Sequence, residues 1–224
     1  MKTIVIIPAR GGSKRLHNKN ILSLGSIPLI AHSILYAQKN STNVDAIYVS
    51  TDDATIKKIA LDYGVQVIDR PESLSGDFEP TVSALKHVLE SIEKDVENVI
   101  LLQATNPLRP QGLLAAAFEV YQKGNYDSLF TVSRNHHKLG KIVENRFYPY
   151  NYNIGQRSQD LKPLFFENGL LYISKASLIL QDIIISENAF PFEVNSIFAN
   201  VDIDIEEDLE YAEYLYQKPT THNT

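Results

Sequence analysis

The chain begins with an apolar run, Thr3-Ile4-Val5-Ile6-Ile7, that stops at Pro8 and opens directly into Ala9-Arg10-Gly11-Gly12-Ser13-Lys14-Arg15-Leu16, with Lys19-Asn20 close behind. A strand ending in two consecutive glycines and four cations within ten residues restricts the fold more than any other stretch. The backbone N–H groups and cationic side chains of such a loop can wrap a strongly anionic ligand, and a triphosphate suits that much charge. The same residues also read as a tight turn carrying solvated lysines. Two better-known phosphate loops are excluded by inspection, since neither G-x-x-x-x-G-K-S/T nor G-x-G-x-x-G occurs.

After the loop, strand and helix patterns alternate. Pro28 stands near the start of a helix bearing Ile30, Ile34 and Ala37, where its missing N–H costs nothing. A strand is expected over residues 44–51, then a helix with Ile56, Ile59, Ala60 and Tyr63, capped by Asp53 or Thr55 and ended by Gly64. Residues 65–68 form the next strand, and residues 69–81, rich in proline, glycine and polar groups, form a functional loop before the helix of Val82, Leu85 and Val88. Val99-Ile100-Leu101-Leu102 is almost wholly apolar, as a central parallel strand must be. A helix follows Pro110, and strands are expected over residues 128–132, 169–174 and 196–202, the last leading into a helix from Ile205 to Tyr216 and a frayed tail from Pro219. Such alternation implies an α/β fold with a doubly wound, mostly parallel sheet, in one domain spanning residues 1–224.

Residues 134–165 interrupt the rhythm with Arg134, two histidines, several lysines and three tyrosines, and residues 141–148 read as an extended hairpin. An aromatic arm that cannot bury itself is either a surface flap or a partner surface. A chain of 224 residues suits one large core. A net charge of −6 argues against nucleic acid or an anionic membrane as partner. The absence of cysteine removes disulfides and thiolate zinc sites, and without a membrane-length apolar run or leader pattern the expected location is cytoplasmic.

In an open α/β sheet, ligands bind beyond the carboxyl ends of the strands, which is where each polar motif falls. The basic loop follows the first strand, Ser50-Thr51-Asp52-Asp53 the second, Arg70 the third and Gln103-Ala104-Thr105-Asn106-Pro107-Leu108-Arg109 the fourth. Asp202 and Asp204 stand two apart at the expected last strand end, where period-two geometry points both carboxylates the same way. Like charges so close need a cation, and magnesium takes one or two carboxylates with substrate phosphates completing its shell. Alternatively, Asp204 caps the terminal helix, with Glu207 completing a capping box.

These stretches give the chain a resemblance to the acylneuraminate cytidylyltransferases, also called CMP-sialic acid synthetases. Ile7-Pro8-Ala9-Arg10-Gly11-Gly12-Ser13-Lys14 with Lys19-Asn20-Ile21 resembles their N-terminal signature. Arg70-Pro71, residues 103–109, Arg157-Ser158-Gln159-Asp160, Glu167-Asn168-Gly169 and Asp202-Ile203-Asp204 follow in the family's order over almost the whole chain. The resemblance implies a Rossmann-like nucleotidyltransferase fold, a magnesium ion on Asp202 and Asp204, and transfer of CMP from CTP to a nonulosonic acid. It assigns the nucleotide to Arg10, Gly11, Gly12, Ser13, Lys14, Lys19 and Asn20, with the cytosine and its ribose on Arg70 and the Glu79-to-Thr81 stretch. The sugar acid falls to Gln103, Asn168, Gly169, Arg157 and Lys141. Arg10, Lys19, Arg157 and the two aspartates carry catalysis. It further implies a homodimer in which the 134–165 arm reaches the neighbour's sugar site. Glu167-Asn168-Gly169 stands where pseudaminate enzymes tend toward Asp-Ala-Gly, and Phe166-Glu167 where bacterial sialic acid enzymes often have arginine, which leaves legionaminate and deaminated neuraminate open. A catalytically silent CTP-binding protein on the same scaffold is the alternative from another class.

Overall fold

A computed structural model describes residues 2–92 and 95–218, so the expected tail from Pro219 lies outside the described residues. Strand β1 (Thr3–Pro8) runs into the basic loop, a single 3-10 turn at Lys19–Ile21 and a short hairpin, β2 (Ser23–Leu24) with β3 (Ile27–Pro28). Then come α1 (Leu29–Lys39), β4 (Ala46–Thr51), α2 (Ala54–Asp62), β5 (Gln66–Asp69), α3 (Thr81–Ser91), β6 (Asn98–Leu101), α4 (Leu113–Lys123) and β7 (Ser128–Asn135). A second hairpin, β8 (Gly140–Val143) with β9 (Arg146–Pro149), precedes β10 (Leu164–Lys175), α5 (Ala176–Ile179), β11 (Ala189–Glu193) and α6 (Glu206–Gln217).

The central sheet has seven strands in the order β11-β7-β10-β6-β1-β4-β5. β1 pairs in parallel with β4 and β6, β4 with β5, and β11 with β7, while β10 is antiparallel to both neighbours. The sequence alternation therefore yields the mostly parallel sheet it implies. β10 is the exception because it returns from the 134–165 excursion at the end of the sheet where β7 stops, and no crossover helix reverses it.

Alternate residues of β1 feed two cores. Val5 and Ile7 pack with α1, α2 and α4, whereas Ile4 and Ile6 pack with α3 and α5. A third cluster buries Ala212 and Leu215 of α6 against Leu24, Leu29, Leu108, Val201 and Ile203. That cluster anchors the chain just before Asp204 beside the basic loop.

The strand expected over residues 196–202 is not formed. Ser196 Oγ accepts the Phe198 N–H at 3.2 Å and starts a 3-10 turn at Ile197–Asn200 instead. The strand beside β7 is β11, whose Pro191 is tolerated at a sheet edge. The arm hairpin turns at Glu144 and Asn145, both with positive φ (49° and 61°), the backbone of a two-residue primed turn. Almost every residue of β8 and β9 is exposed.

Candidate active site

The carboxyl ends of β1, β5 and β6 open on one cavity of about 580 Å³. Arg10, Ser13, Lys14, Arg15, Lys19 and Asn20 line one side, Arg70, Leu74 and residues 76–81 another, and Gln103, Ala104, Thr105 and Asp204 a third. Nine of the sequence-derived candidates meet here: Arg10, Ser13, Lys14, Lys19, Asn20, Arg70, Thr81, Gln103 and Asp204. Thr81 opens α3, so the positive end of an eleven-residue helix also faces the cavity.

The Ser50-Thr51-Asp52-Asp53 stretch shapes this end of the sheet. Asp53 caps α2 by accepting the Thr55 and Ile56 N–H groups, each at 2.8 Å. Asp52 Oδ1 accepts the Gly11 N–H at 3.0 Å, so that amide is engaged within the protein rather than turned toward a ligand. A Cβ on Gly11 would lie 2.7 Å from Asp53 Oδ2, whereas one on Gly12 would meet only open space; packing therefore forces glycine at the first position alone. Asn20 Nδ2 donates to the Arg10 carbonyl at 2.9 Å, folding the loop back on itself. Arg70 is buried, with Nε on Ser50 Oγ at 3.1 Å and Nη2 on the Ser50 carbonyl at 2.5 Å. Burial lowers its pKa, opposed by the nearby Asp52 charge.

The loop's cations are matched by two carboxylates. Arg10 Nη1 lies 2.9 Å from Asp77 Oδ1, and Lys14 pairs with the other Asp77 oxygen. Lys19 Nζ and Arg15 Nη2 each lie 2.7 Å from Asp204. Burial pushes the Asp204 carboxyl up, but the hydrogen bond and charge of Lys19, with Arg15, bring it net below its usual value. Asp202 moves the other way. Its residue surface is exposed and it does not line the cavity, yet desolvation of its carboxyl and the Asp204 charge raise it, against a hydrogen bond from Thr105. The capping alternative for Asp204 fails, because Asp208 accepts the Asp204 and Ile205 N–H groups at 2.9 and 3.0 Å and leaves the Asp204 carboxylate for cations.

Asn168 and Gly169 sit at an irregularity in β10, between Glu167 and Tyr172, and the Asn168 side chain is buried and held by three hydrogen bonds. Its Oδ1 accepts Thr131 Oγ1 at 2.5 Å and the Leu170 N–H at 3.1 Å, while Nδ2 donates to Ser133 Oγ at 2.9 Å. Asn168 does not line the cavity, and one Nδ2 N–H is the donor these bonds leave over. Gly169 has φ +73°, and a Cβ there would lie 2.8 Å from Asn106 Oδ1. The glycine therefore admits Asn106 rather than a ligand. Arg157 is held by Asp160 at 2.8 and 3.1 Å on the exposed arm, and Lys141 lies on the exposed β8; within one chain neither lines the cavity.

The chain matches the cytidylyltransferase family model over residues 4–223. It belongs to that family. It is 33% identical over 215 residues to an N-acylneuraminate cytidylyltransferase of Streptococcus agalactiae, covering 93% of this chain and 52% of the relative. It is 32% identical over 227 residues to a pseudaminic acid cytidylyltransferase of Campylobacter jejuni, covering 97% of each. The chain thus spans about half the length of the streptococcal relative. Its fold is similar to a CMP:2-keto-3-deoxy-manno-octonic acid synthetase solved with CTP, at TM-score 0.74 and 18% identity over 96% of this chain and 98% of the other.

Two further polar residues of the 103–109 motif, not among the candidates above, are buried beside the site. Asn106, 1% exposed, donates to the Val201 carbonyl at 2.8 Å and the Asn168 carbonyl at 3.4 Å, joining the approach to Asp202 to the β10 irregularity. Arg109 is buried with no carboxylate partner among the described residues and donates to Leu170 O (2.7 Å), Ser33 Oγ (2.9 Å) and Gln103 O (2.7 Å). Burial pushes its pKa down to about 10. Asp77 was missed as well; the signal was an acid inside the polar 69–81 loop.

Proposed function

We propose that the chain transfers CMP from CTP to the anomeric 2-hydroxyl of a nonulosonic acid of the sialic type and releases pyrophosphate. The supporting observation is that the basic loop, Arg70, the α3 N-terminus and Gln103 meet at one cavity, in a chain of the cytidylyltransferase family. The anomeric oxygen attacks the α-phosphorus in line; the new P–O bond forms as the bond to the departing pyrophosphate breaks, and the hydroxyl proton is lost. Arg10, Lys14 and Lys19 meet charge that grows on the phosphate oxygens, so positioning and electrostatics carry the rate. Gln103 has no side-chain hydrogen bond among the described residues and is free to read the acceptor. The proposed compartment is the cytoplasm, supported by the lack of cysteine; no described helix is long and apolar enough to cross a membrane.

We propose magnesium on Asp202 and Asp204 from the effect of their charges on each other; Asp204 lines the cavity and would exchange Lys19 or Arg15 for the ion, while Asp202 stands outside the cavity lining, because no strand forms there to aim both carboxylates one way. Bound there, magnesium would neutralise triphosphate charge. Loss of magnesium-dependent turnover in Asp202→Ala and Asp204→Ala is expected; retention in both sinks that assignment.

The acceptor is set by neither relative, because 33% and 32% identity to enzymes named for different sugar acids do not separate them. Pyrophosphate release should therefore be measured with CTP and magnesium across N-acetylneuraminate, its deaminated analogue, legionaminate, pseudaminate and Kdo, with UTP and GTP as controls. Turnover is expected with CTP and a nine-carbon acid. Silence across the panel despite CTP binding would make the chain a binding protein.

The arm belongs to a homodimer in this reading, supported by Ile142, Val143, Phe147 and Tyr148, all more than half exposed. It would bring Lys141 and Arg157 to the partner's cleft. Sedimentation of Ile142→Lys with Phe147→Lys should show a monomer with weakened acceptor use; a persisting dimer would place the interface elsewhere.

A further inference from the structure

The segment between β5 and α3 covers the basic loop, and ion pairs hold it there. Asp77 takes Arg10 Nη1 at 2.9 Å on one oxygen and Lys14 on the other, and Arg10 Nη1 also approaches the Ser75 carbonyl at 3.4 Å. Apolar packing contributes little, since Phe78 lines the cavity yet remains 100% exposed. Residues 76–80 are exposed, and the backbone bonds that shape the stretch, Ser75 N–H to the Glu72 carbonyl and Glu79 N–H to the Gly76 carbonyl, are local and do not tie it to the basic loop. The other acids nearby do not share the contact: Glu79 accepts Ser83 Oγ at 3.2 Å, and Glu72 has no cation partner among the described residues.

We propose that Asp77 is an internal anion that competes with the nucleotide's phosphates for Arg10 and Lys14, so that nucleotide entry exchanges a carboxylate for phosphate and frees residues 75–78. The proposal rests on the cleft being a nucleotide site. A triphosphate carries several charges against the single charge of Asp77 and makes stronger charge-assisted bonds, so it wins the exchange. Weakly charged anions do not, and they are screened from the empty cleft. Phe78, unpacked in the closed arrangement, then has a bound nucleotide to cover.

The test is calorimetric binding of CTP and of inorganic tripolyphosphate to the wild-type chain, Asp77→Asn and the charge control Glu72→Gln. Removing two partly exposed ion pairs predicts that Asp77→Asn tightens both ligands by roughly 3- to 10-fold, with Glu72→Gln unchanged. Unchanged or weakened binding by Asp77→Asn, or equal tightening by Glu72→Gln, overturns the proposal. If tripolyphosphate binds and tightens in Asp77→Asn while CTP binds to none of the proteins, the competing anion stands and the nucleotide reading falls. Binding of neither ligand to any variant removes both.

Discussion

The two sides of the β1–β6 crevice use polar residues in opposite ways. On the basic-loop side, Arg10, Lys14, Arg15 and Lys19 are held by only two carboxylates, Asp77 and Asp204, through side chains that keep contact with water. On the β10 side, Asn106, Arg109, Thr131, Ser133 and Asn168 are buried and bonded to one another or to backbone carbonyls. An exposed ion pair exchanges cheaply, because water and salt screen it. A buried hydrogen-bond network does not, because each orphaned group keeps its desolvation penalty. One side is therefore built to release its partners to a ligand, and the other to hold the sheet ends in register while that happens.

Substitutions should separate the two sides. Arg10→Ala should lower kcat/KM for CTP by roughly 10²- to 10³-fold, about 2.7–4 kcal/mol of transition-state stabilisation. Its urea-unfolding stability should move by less than about 1 kcal/mol. Asn168→Ala should do the reverse, costing about 2–4 kcal/mol of stability by orphaning the Leu170 N–H and partners in the network, with CTP affinity retained. A stable Asn168→Ala protein with poor acceptor use would return Asn168 to the sugar site. Gly169→Ala, which forces a side chain into a φ of +73° and against Asn106, should cost about 1–3 kcal/mol in the same denaturation measurement.

The smallest effect is a titration. Hydrogen bonds and charge from Lys14 and Arg10 hold the Asp77 carboxyl below its usual 3.8. Its ion pairs are intact above that ordinary value and are lost as pH falls through the lower folded value. Carboxyl ¹³C titration should show the depressed midpoint in the wild type and a rise toward the ordinary value in Arg10→Ala. The Asn106–Asn168 network contains no group that titrates in this range and should not respond.

Local pattern carried most of the architecture, since apolar periodicity and the caps at Asp53 and Gly64 are written in neighbouring residues. It failed where an element depends on its surroundings. Residues 189–193 contain Pro191, which a central strand rejects and the sheet edge accepts, so β11 becomes visible only once β7 is in place. Ser196 instead starts a 3-10 turn by capping Phe198. The β2–β3 hairpin is too short to show a period, and its role comes from Leu24 packing under α6.

The same division runs through the site. Residue type and position at strand ends were enough to bring Arg10, Lys19, Arg70 and Gln103 to one crevice, because a parallel sheet aligns those ends; Asp204 reaches it without a strand, through the packing of Val201 and Ile203 against α6. Residue type could not say whether a polar group would be spent inside the protein. Asn168 and Gly11 have hydrogen-bonding capacity that reads as available, and the approach of Thr131, Ser133 and Asp52 from distant parts of the chain takes up the Gly11 N–H and all but one donor of the Asn168 side chain. Pairing of Asp77 with Arg10 and Lys14 likewise spans more than sixty residues. Sequence alone determined which chemistry the crevice can hold; tertiary packing decided which groups remain free to perform it, since a hydrogen bond's availability depends on every segment that folds against it.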